Sequence, residues 1–433
     1  MTSLSRTRRT AQLLSLPAGA LGLSAVGLVR RLAGADPDVV RRELRARNAE
    51  RTRQVLGELK GGALKAGQLL STVEALFPVD PEDTWREALT SLQEANPALP
   101  FAQVEPVLRA ELGARWRERF RSFQEHASAA ASIGQVHRAV WSDGRPVAVK
   151  VQYPGIREAL RADLRAVSAL TRATALVAPG MALPPLVSEL RNRLVEELDY
   201  THEAAAQRRF HGAWDGDPWL VVPDVIEATE RVLVQDWVDG TPLAEVARTG
   251  SQGERDAAAA RYQLALVSGP ELVGLLHTDP HPGNFRVLDD GRLAVLDHGS
   301  TLPLPGMPET FGRLLRALVE TDPVAVLTRL TQDGFVAPGK HLEVDKFVDY
   351  LGPFSEPARH ERFTFRRAWL REEFGRVNDP RSPDFAVALQ LRMPAEHLFT
   401  HRVWLGMVGV LCQLEASVEV APVLRRWLPG FAD

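Results

Sequence analysis

The stretch from Ala129 to Gly155, "AAASIGQVHRAVWSDGRPVAVKVQYPG", narrows most what this chain can become. β-Branched and small apolar residues flank the turn tripeptide Ser142-Asp143-Gly144, so the segment reads as a β-hairpin opening a small sheet. The text before it has helical period. It is charged and amphipathic from Pro37 to Leu70, and "LKGGALKAGQLLSTVEALFP" continues past a Gly61-Gly62 break. Residues 84 to 123 read as two further helices separated by "NPALP". After the hairpin, helices are expected at about 156–175 and 184–210, the second with Leu186, Leu190, Leu194, Leu198 and Ala205 on roughly one face. "LVVPDVIEAT" and "RVLVQDWVDG" return to strand pattern. Beyond Thr241 helices dominate, apart from short strands at "FRVLDDG" and "LAVLDHG" joined by an Asp289-Asp290-Gly291 turn. Asp322-Pro323 is an N-cap and N1 pair for a later helix.

This order is an α+β, bilobal plan. Its expected parts are an apolar and basic segment (1–36), a helical extension (37–125), a sheet-bearing lobe with a carboxylate-rich helix (126–240), and a mostly helical lobe (241–433). A composition of 45% hydrophobic and 25% charged residues suits a globular chain with a large core. The net charge of -3, with Lys and Arg spread along the chain, argues against a nucleic-acid partner. The single cysteine, Cys412, permits neither an intramolecular disulfide nor a cysteine-based zinc site, which fits a reducing compartment.

Ala11 to Val29 is an uncharged run of 19 residues between Arg8-Arg9 and Arg30-Arg31. As a helix it would be about 28 Å long, close to a bilayer's hydrocarbon core. Gly19, Gly22, Gly27, Ser15, Ser24 and Pro17 dilute it, so two readings stand: a membrane-associated segment, or a helix packed on its own protein. "LAGAD" lies beyond Arg30-Arg31, the wrong place for a signal-peptidase site. The expected location is the cytoplasm, either free or held at an inner-membrane surface by residues 1–36.

The chemistry-bearing run is "HTDPHPGNF", His277 to Phe285. Asp279 and Asn284 are five apart, and Asp297 opens "DHG" directly after the apolar strand "LAVL". Phosphoryl transfer by kinases uses an acid on a catalytic loop, an Asn five residues later for Mg²⁺, and a second Asp at a strand end for the same metal. Mg²⁺ favours a few oxygen ligands beside substrate phosphates. A zinc site at His277, Asp279 and His281 is disfavoured by Pro280 and Pro282, which break a regular strand. A plain structural turn would be the default for this run alone. The hairpin weighs against that default, because "VAVK" sets Lys150 at a strand end ahead of a helix offering Glu196, Glu197, Asp199 and Glu203. Asp199 and Glu203 would share a helix face, with Glu196 beside them and Glu197 pointing away.

Taken together, "KAGQ" (Lys65 to Gln68), "AAASIGQVH", "VAVK", "ELD" with Glu203 after it, "HTDPHPGN" and "DHG" resemble the UbiB/ADCK family of atypical protein-kinase-like proteins, over about residues 50 to 300. The resemblance implies a protein-kinase-like fold whose N-terminal helical extension covers the active site. It makes Lys150 the phosphate-binding lysine, Glu203 its helix partner, Asp279 the catalytic-loop acid, and Asn284 and Asp297 the metal ligands. It assigns Lys65 and Gln68 to the covering extension, with Lys65 approaching Glu197 and Asp199. Ala129, Ala130, Ala131 and Ser132 would lie over the phosphates in place of a Gly-rich loop. Alanines largely forbid the positive φ through which such a loop brings its N–H groups to phosphate, so the nucleotide would be held differently. The backbone of Asp236 and Val238 would contact adenine. Ala127, Ser128 and His298 depart from the family pattern, the last replacing the usual Phe of Asp-Phe-Gly.

The implied activity is Mg²⁺-dependent ATP or ADP binding, with ATP hydrolysis or transfer to a small or lipid-like molecule, in support of isoprenoid quinone biosynthesis at a membrane. A lipid or quinone precursor and a membrane surface are the implied partners. The alternative is a nucleotide-sensing scaffold without turnover. An aminoglycoside-type phosphotransferase shares the His-x-Asp-x-x-x-x-Asn logic but does not explain "KAGQ" or "AAAS".

Overall fold

The computed structural model describes residues 98–131, 133–158, 160, 198–336, 343–378 and 394–432, with a few positions between 382 and 391. Lys65, Gln68, Ser132, Glu196, Glu197 and the apolar run 11–29 lie outside the described residues, as does most of the expected helix at 156–175. The chain divides into two compact units, which among the described residues comprise 98–198 with 230–232, and 199–229 with 233–432.

The first unit opens with α1 (Phe101–Leu112), which buries Val104, Val107, Leu108 and Leu112. The helix does not run to residue 123 as its period suggests. Gly113, at φ 91, ends the helix, a 3-10 turn follows at Trp116–Arg119, and β1 (Phe120–Phe123) begins the sheet. An aromatic cluster fixes this path, with Trp116 edge-on to Phe123 at 5.0 Å and Phe120 edge-on to Trp141 at 5.1 Å.

The sheet then gains β2 (Ala129–Ala130), β3 (Gly134–Trp141) and β4 (Pro146–Gln152). β3 pairs antiparallel with β1, β2 and β4, and its register with β4 runs from Gly134↔Gln152 to Val140↔Pro146. Gly144 closes the expected hairpin at φ 105. Val147, Val149 and Val151 are fully buried on one face of β4, and Lys150 lies on the other, 8% exposed.

The motif "GQVH" has a structural purpose. A Cβ on Gly134 would fall 2.1 Å from the Val151 carbonyl oxygen, so this glycine is required by the close approach of two strands. Gln135 is fully buried and acts as a strand edge for Leu99: its Oε1 accepts the Leu99 N–H at 2.8 Å and its Nε2 donates to the Leu99 carbonyl at 3.2 Å. His137 Nδ1 donates to the Gln124 carbonyl at 2.8 Å, leaving Nε2 to face Gln135 at 3.0 Å. Burial holds this imidazole below its ordinary pKa, in the neutral form that the two contacts need.

The second unit contains α2 (Tyr200–Ala213), β5 (Leu220–Val221), β6 (Val225–Ala228), β7 (Val232–Asp236) apart from its first residue, β8 (Thr241–Pro242), α3 (Leu243–Thr249) and α4 (Gln252–Leu272). Next come β9 (Leu275–His277), β10 (Phe285–Val287), β11 (Leu293–Val295) and β12 (Thr301–Pro303), then α5 (Glu309–Val319), α6 (Pro323–Gln332) and α7 (Val344–Ser355). It ends with β13 (Arg362–Thr364), α8 (Arg367–Asn378), α9 (Leu398–Leu414), β14 (Ser417–Glu419) and α10 (Ala421–Trp427). One four-stranded sheet has the order β5-β11-β10-β8, and β9 pairs with β12 separately. Asp322 caps α6 through the N–H groups of Val324 and Ala325, both at 3.0 Å, as its sequence pattern requires.

The core lies between α2, α4 and α9, around Phe210, Tyr262, Phe285, Leu276 and Leu411, all fully buried. α2 therefore groups with the helical unit rather than with the lysine strand. Its start also differs from the expected one. Asp199 is extended, at φ -128 and ψ 102, and caps the helix by accepting from Thr201 N at 2.9 Å and Thr201 Oγ1 at 2.6 Å. It does not share a helical face with Glu203.

Gln135→Leu removes both bonds to Leu99 and should destabilise the chain by about 1–3 kcal/mol. Urea unfolding followed by tryptophan fluorescence checks this, and an unchanged midpoint would contradict the clamp.

Candidate active site

Backbone pairing in the second unit collects the predicted acids. β10 and β11 are antiparallel with Phe285 opposite Val295, and the Leu296 N–H donates to the Asn284 carbonyl at 2.9 Å. Asn284 and Asp297 therefore stand at the same end of one strand pair. β9 and β12 bring the loop alongside: His277 pairs with Thr301, and Thr278 N–H donates to the Ser300 carbonyl at 2.9 Å. His277 Nε2 donates to the Asp297 carbonyl at 2.7 Å, which makes this buried imidazole a strut between the loop and the Asp-His-Gly turn. Asp297 Oδ1 accepts the Gly299 N–H at 2.9 Å.

Asn284 ties the loop together. Its Nδ2 donates to Asp279 Oδ2 at 2.9 Å and to the Asp279 carbonyl at 3.3 Å, and its backbone N–H donates to the His281 carbonyl at 3.0 Å. His281 is exposed, yet its Nδ1 accepts the Gly283 N–H at 3.1 Å and so caps the 3-10 turn Pro282–Asn284. Tyr262 on α4 donates its hydroxyl to the Pro280 carbonyl at 2.6 Å. Burial first, and the negative charge of Asp279 second, hold this phenol well above its ordinary pKa, so it remains a donor.

Asp279 also has a partner that no motif announced. Arg402 on α9 approaches its carboxylate with Nη2 3.8 Å from Oδ1, the two side chains being 14% and 22% exposed. Burial pushes the Asp279 pKa up, but Arg402, His281, the Asn284 bond and His277 together pull it below the ordinary carboxylate range. The carboxylate is therefore ionised at neutral pH. At this distance the attraction is about 4 kcal/mol for an effective dielectric near 20, enough to offset a partial desolvation. Gly406 lies one turn further along α9 and lets the helix approach the loop, because a Cβ there would fall 2.3 Å from Pro280 Cγ. The sequence signal for both was a charge and a glycine four residues apart inside the apolar text "LFTHRVWLGMVGVL".

Glu203 is 4% exposed, and its Oε2 would lie 3.3 Å from a Cβ on Gly299, so α2 delivers this carboxylate to the Asp-His-Gly turn. His298 packs against Phe210 of the same helix at 5.0 Å between ring centroids. It fills, as an aromatic ring, the place where a Phe was expected. Lys150 belongs to the first unit, as do Ala129 and Ala130, which are exposed on β2 and pair with Val136 and Gln135. The Ala131 N–H donates to the Gly134 carbonyl at 2.8 Å, and among the described residues none of these alanines has positive φ. The Asp236 N–H is committed to the Asp224 carbonyl at 3.0 Å, so Asp236 can contact a ligand through its backbone only as an acceptor. Val238 follows β7 in irregular chain and makes no backbone hydrogen bond among the described residues.

The residues fit a Mg²⁺ ion better than a protein-held metal cluster. Among the described residues no three His, Cys, Asp or Glu side chains converge to hold a metal, which removes the zinc reading of His277, Asp279 and His281. With its Nδ2 spent on Asp279, Asn284 has its side-chain oxygen left over, and Asp297 emerges at the same end of the β10–β11 pair, so the donor set is of the oxygen type Mg²⁺ takes together with phosphates. Among the described residues no helix is long and apolar enough to cross a membrane.

Gly406→Ala should cost about 1–3 kcal/mol by forcing α9 off Pro280. Gly409→Ala on the same helix, where the added methyl meets nothing within 4 Å, should be neutral or gain about 0.4–1 kcal/mol. Equal unfolding midpoints for the two variants would contradict the packing of α9 on the loop.

Residues 91–329 match the ABC1 atypical kinase-like domain. The atypical kinase COQ8, mitochondrial, of Saccharomyces cerevisiae is 28% identical over 426 residues, spanning 95% of this chain and 82% of that protein. The atypical kinase COQ8B, mitochondrial, of Danio rerio is 31% identical over 261 residues, 60% of this chain but 41% of that protein, so this chain matches less than half of its length. A solved complex of Rv3197 with erythromycin from Mycobacterium tuberculosis is 39% identical, with a TM-score of 0.71, and covers 92% of this chain and 100% of that one. The fold is protein-kinase-like, with a sheet-bearing N-lobe and a helical C-lobe. With more than half of its length inside the matched domain, this chain belongs to the ABC1 atypical kinase-like family.

Proposed function

We propose that this chain is an ATP- or ADP-binding, Mg²⁺-dependent atypical kinase-like enzyme that hydrolyses ATP or transfers its terminal phosphoryl group to a small or lipid-like acceptor. The observation that carries this reading is the Asn284 amide, which donates to the Asp279 carboxylate at 2.9 Å from the end of the strand pair where Asp297 emerges. Asp279, held ionised, aims the attacking oxygen and accepts its proton. Asn284 and Asp297 would hold Mg²⁺, which supplies charge neutralisation on the phosphate oxygens when bound. Lys150 neutralises the α and β phosphates, with Glu203 as its carboxylate partner. The Ala129–Ser132 segment covers the phosphates, and the Asp236 carbonyl and Val238 N–H take the adenine edge. Lys65, Gln68, Glu197 and Asp199 gate access through the helical extension.

The acceptor class follows from resemblance. UbiB/ADCK proteins point to support of isoprenoid quinone synthesis, with a lipid or quinone precursor at a membrane surface and residues 1–36 holding the cytoplasmic chain there. The mycobacterial relative is solved in complex with erythromycin, which supports a second reading: a nucleotide-sensing scaffold that binds a second ligand without turnover. Phosphate release measured with and without liposomes separates the two. Release under either condition supports the enzyme, and its absence under both with nucleotide binding intact supports the scaffold.

At a nucleotide concentration about 100-fold above its Kd, Mg²⁺-nucleotide should stabilise the wild-type chain by about 2.7 kcal/mol. Asp297→Asn should abolish that thermal shift, while Asp290→Asn, at an exposed turn carboxylate paired with Arg292, should retain it. An unchanged shift in Asp297→Asn would remove the metal assignment.

A further inference from the structure

Arg402 is a poorly exposed cation, with 14% of its side chain accessible, that makes no hydrogen bond among the described residues. Among the described residues its one neighbour of opposite charge is Asp279, whose Oδ1 at 3.8 Å is beyond hydrogen-bond reach. Arg376, another poorly exposed arginine of the same unit, behaves differently. It bonds Asp384 at 2.7 Å, the Tyr350 carbonyl at 2.9 Å and Glu373 at 3.0 Å. Partial desolvation of a guanidinium costs stability, and an anion that takes its open donors in the working state offsets that cost. The side chain stays in place because Gly406 lets α9 sit against Pro280, which fixes Arg402 beside the catalytic loop. α9 also lies outside the matched segment 91–329, so the domain match gave this arginine no role.

We propose that Arg402 grips a non-bridging oxygen of the transferring phosphoryl group, and so lets that anion come next to the Asp279 carboxylate. This rests on the reading of Asp279 as the catalytic-loop acid. In the transfer, the acceptor oxygen bonds to the γ-phosphorus, the bridging P–O bond breaks with its electron pair leaving on the diphosphate, and the acceptor proton passes to Asp279. Two anions, the carboxylate and the phosphoryl oxygens, must then crowd one small space. Arg402 is the cation on the Asp279 side of that space, and its planar fork suits two-point contact with phosphoryl oxygens in a way that an ammonium does not.

The test compares the full-length wild-type chain with Arg402→Met and Arg402→Lys by thermal shift and phosphate release. The probes are Mg²⁺-ADP alone and Mg²⁺-ADP with fluoroaluminate, a mimic of the transferring phosphoryl group. Wild type should gain a further shift on adding fluoroaluminate. Arg402→Met should bind Mg²⁺-ADP as wild type does, show no further shift, and lose about 10²–10³-fold in kcat. Arg402→Lys should recover part of both, and it carries the test if Arg402→Met does not fold. Retention of the full fluoroaluminate shift in a folded variant overturns the assignment of Arg402 alone. A wild-type chain with neither the fluoroaluminate shift nor phosphate release overturns the phosphoryl-transfer reading with it.

Discussion

The site depends on one side chain that bonds in several directions. The Asn284 backbone carbonyl accepts from Leu296, its backbone N–H donates to His281, and its amide nitrogen donates to Asp279. The first bond registers β10 against β11 and so fixes where Asp297 emerges. The last fixes the Asp279 carboxylate. Asn284 is therefore a structural joint as well as a candidate metal ligand, and its amide is the group that can link both tasks, since it offers donors on one side and an acceptor on the other.

Around that joint, several residues of the motif serve geometry rather than chemistry. His277 holds Asp297 through its carbonyl, His281 caps the turn that presents Asn284, and Tyr262 anchors the Pro280 carbonyl. In the first unit the pattern repeats: Gly134 is a close-contact glycine, and Gln135 with His137 ties the chain entering from the N-terminal extension to β3. This places no demand on positive φ at the alanines.

Much of this was legible in the sequence where spacing is local. The Ser142-Asp143-Gly144 hairpin, the β10–β11 hairpin around Gly291, and the Asp322-Pro323 helix start follow from turn and capping chemistry, and each appears as expected. Helical period failed where another local force won. Gly113 and the Phe101, Trp116, Phe123 cluster turned an expected helix into a strand, and the Asp199 side chain capped α2 instead of extending it. Arg402 and Gly406 were illegible for a different reason. Their partners Asp279 and Pro280 lie more than a hundred residues away, and nothing in an apolar helix says which loop its one charge will meet.

The most direct measurement is a crystal structure of the full chain soaked with Mg²⁺ and a non-hydrolysable ATP analogue. The account predicts a metal ion bound by the Asn284 side-chain oxygen and the Asp297 carboxylate, with Asn284 Nδ2 still on Asp279. A nucleotide bound elsewhere, or an Asn284 amide turned so that its nitrogen faces the phosphates, would contradict it.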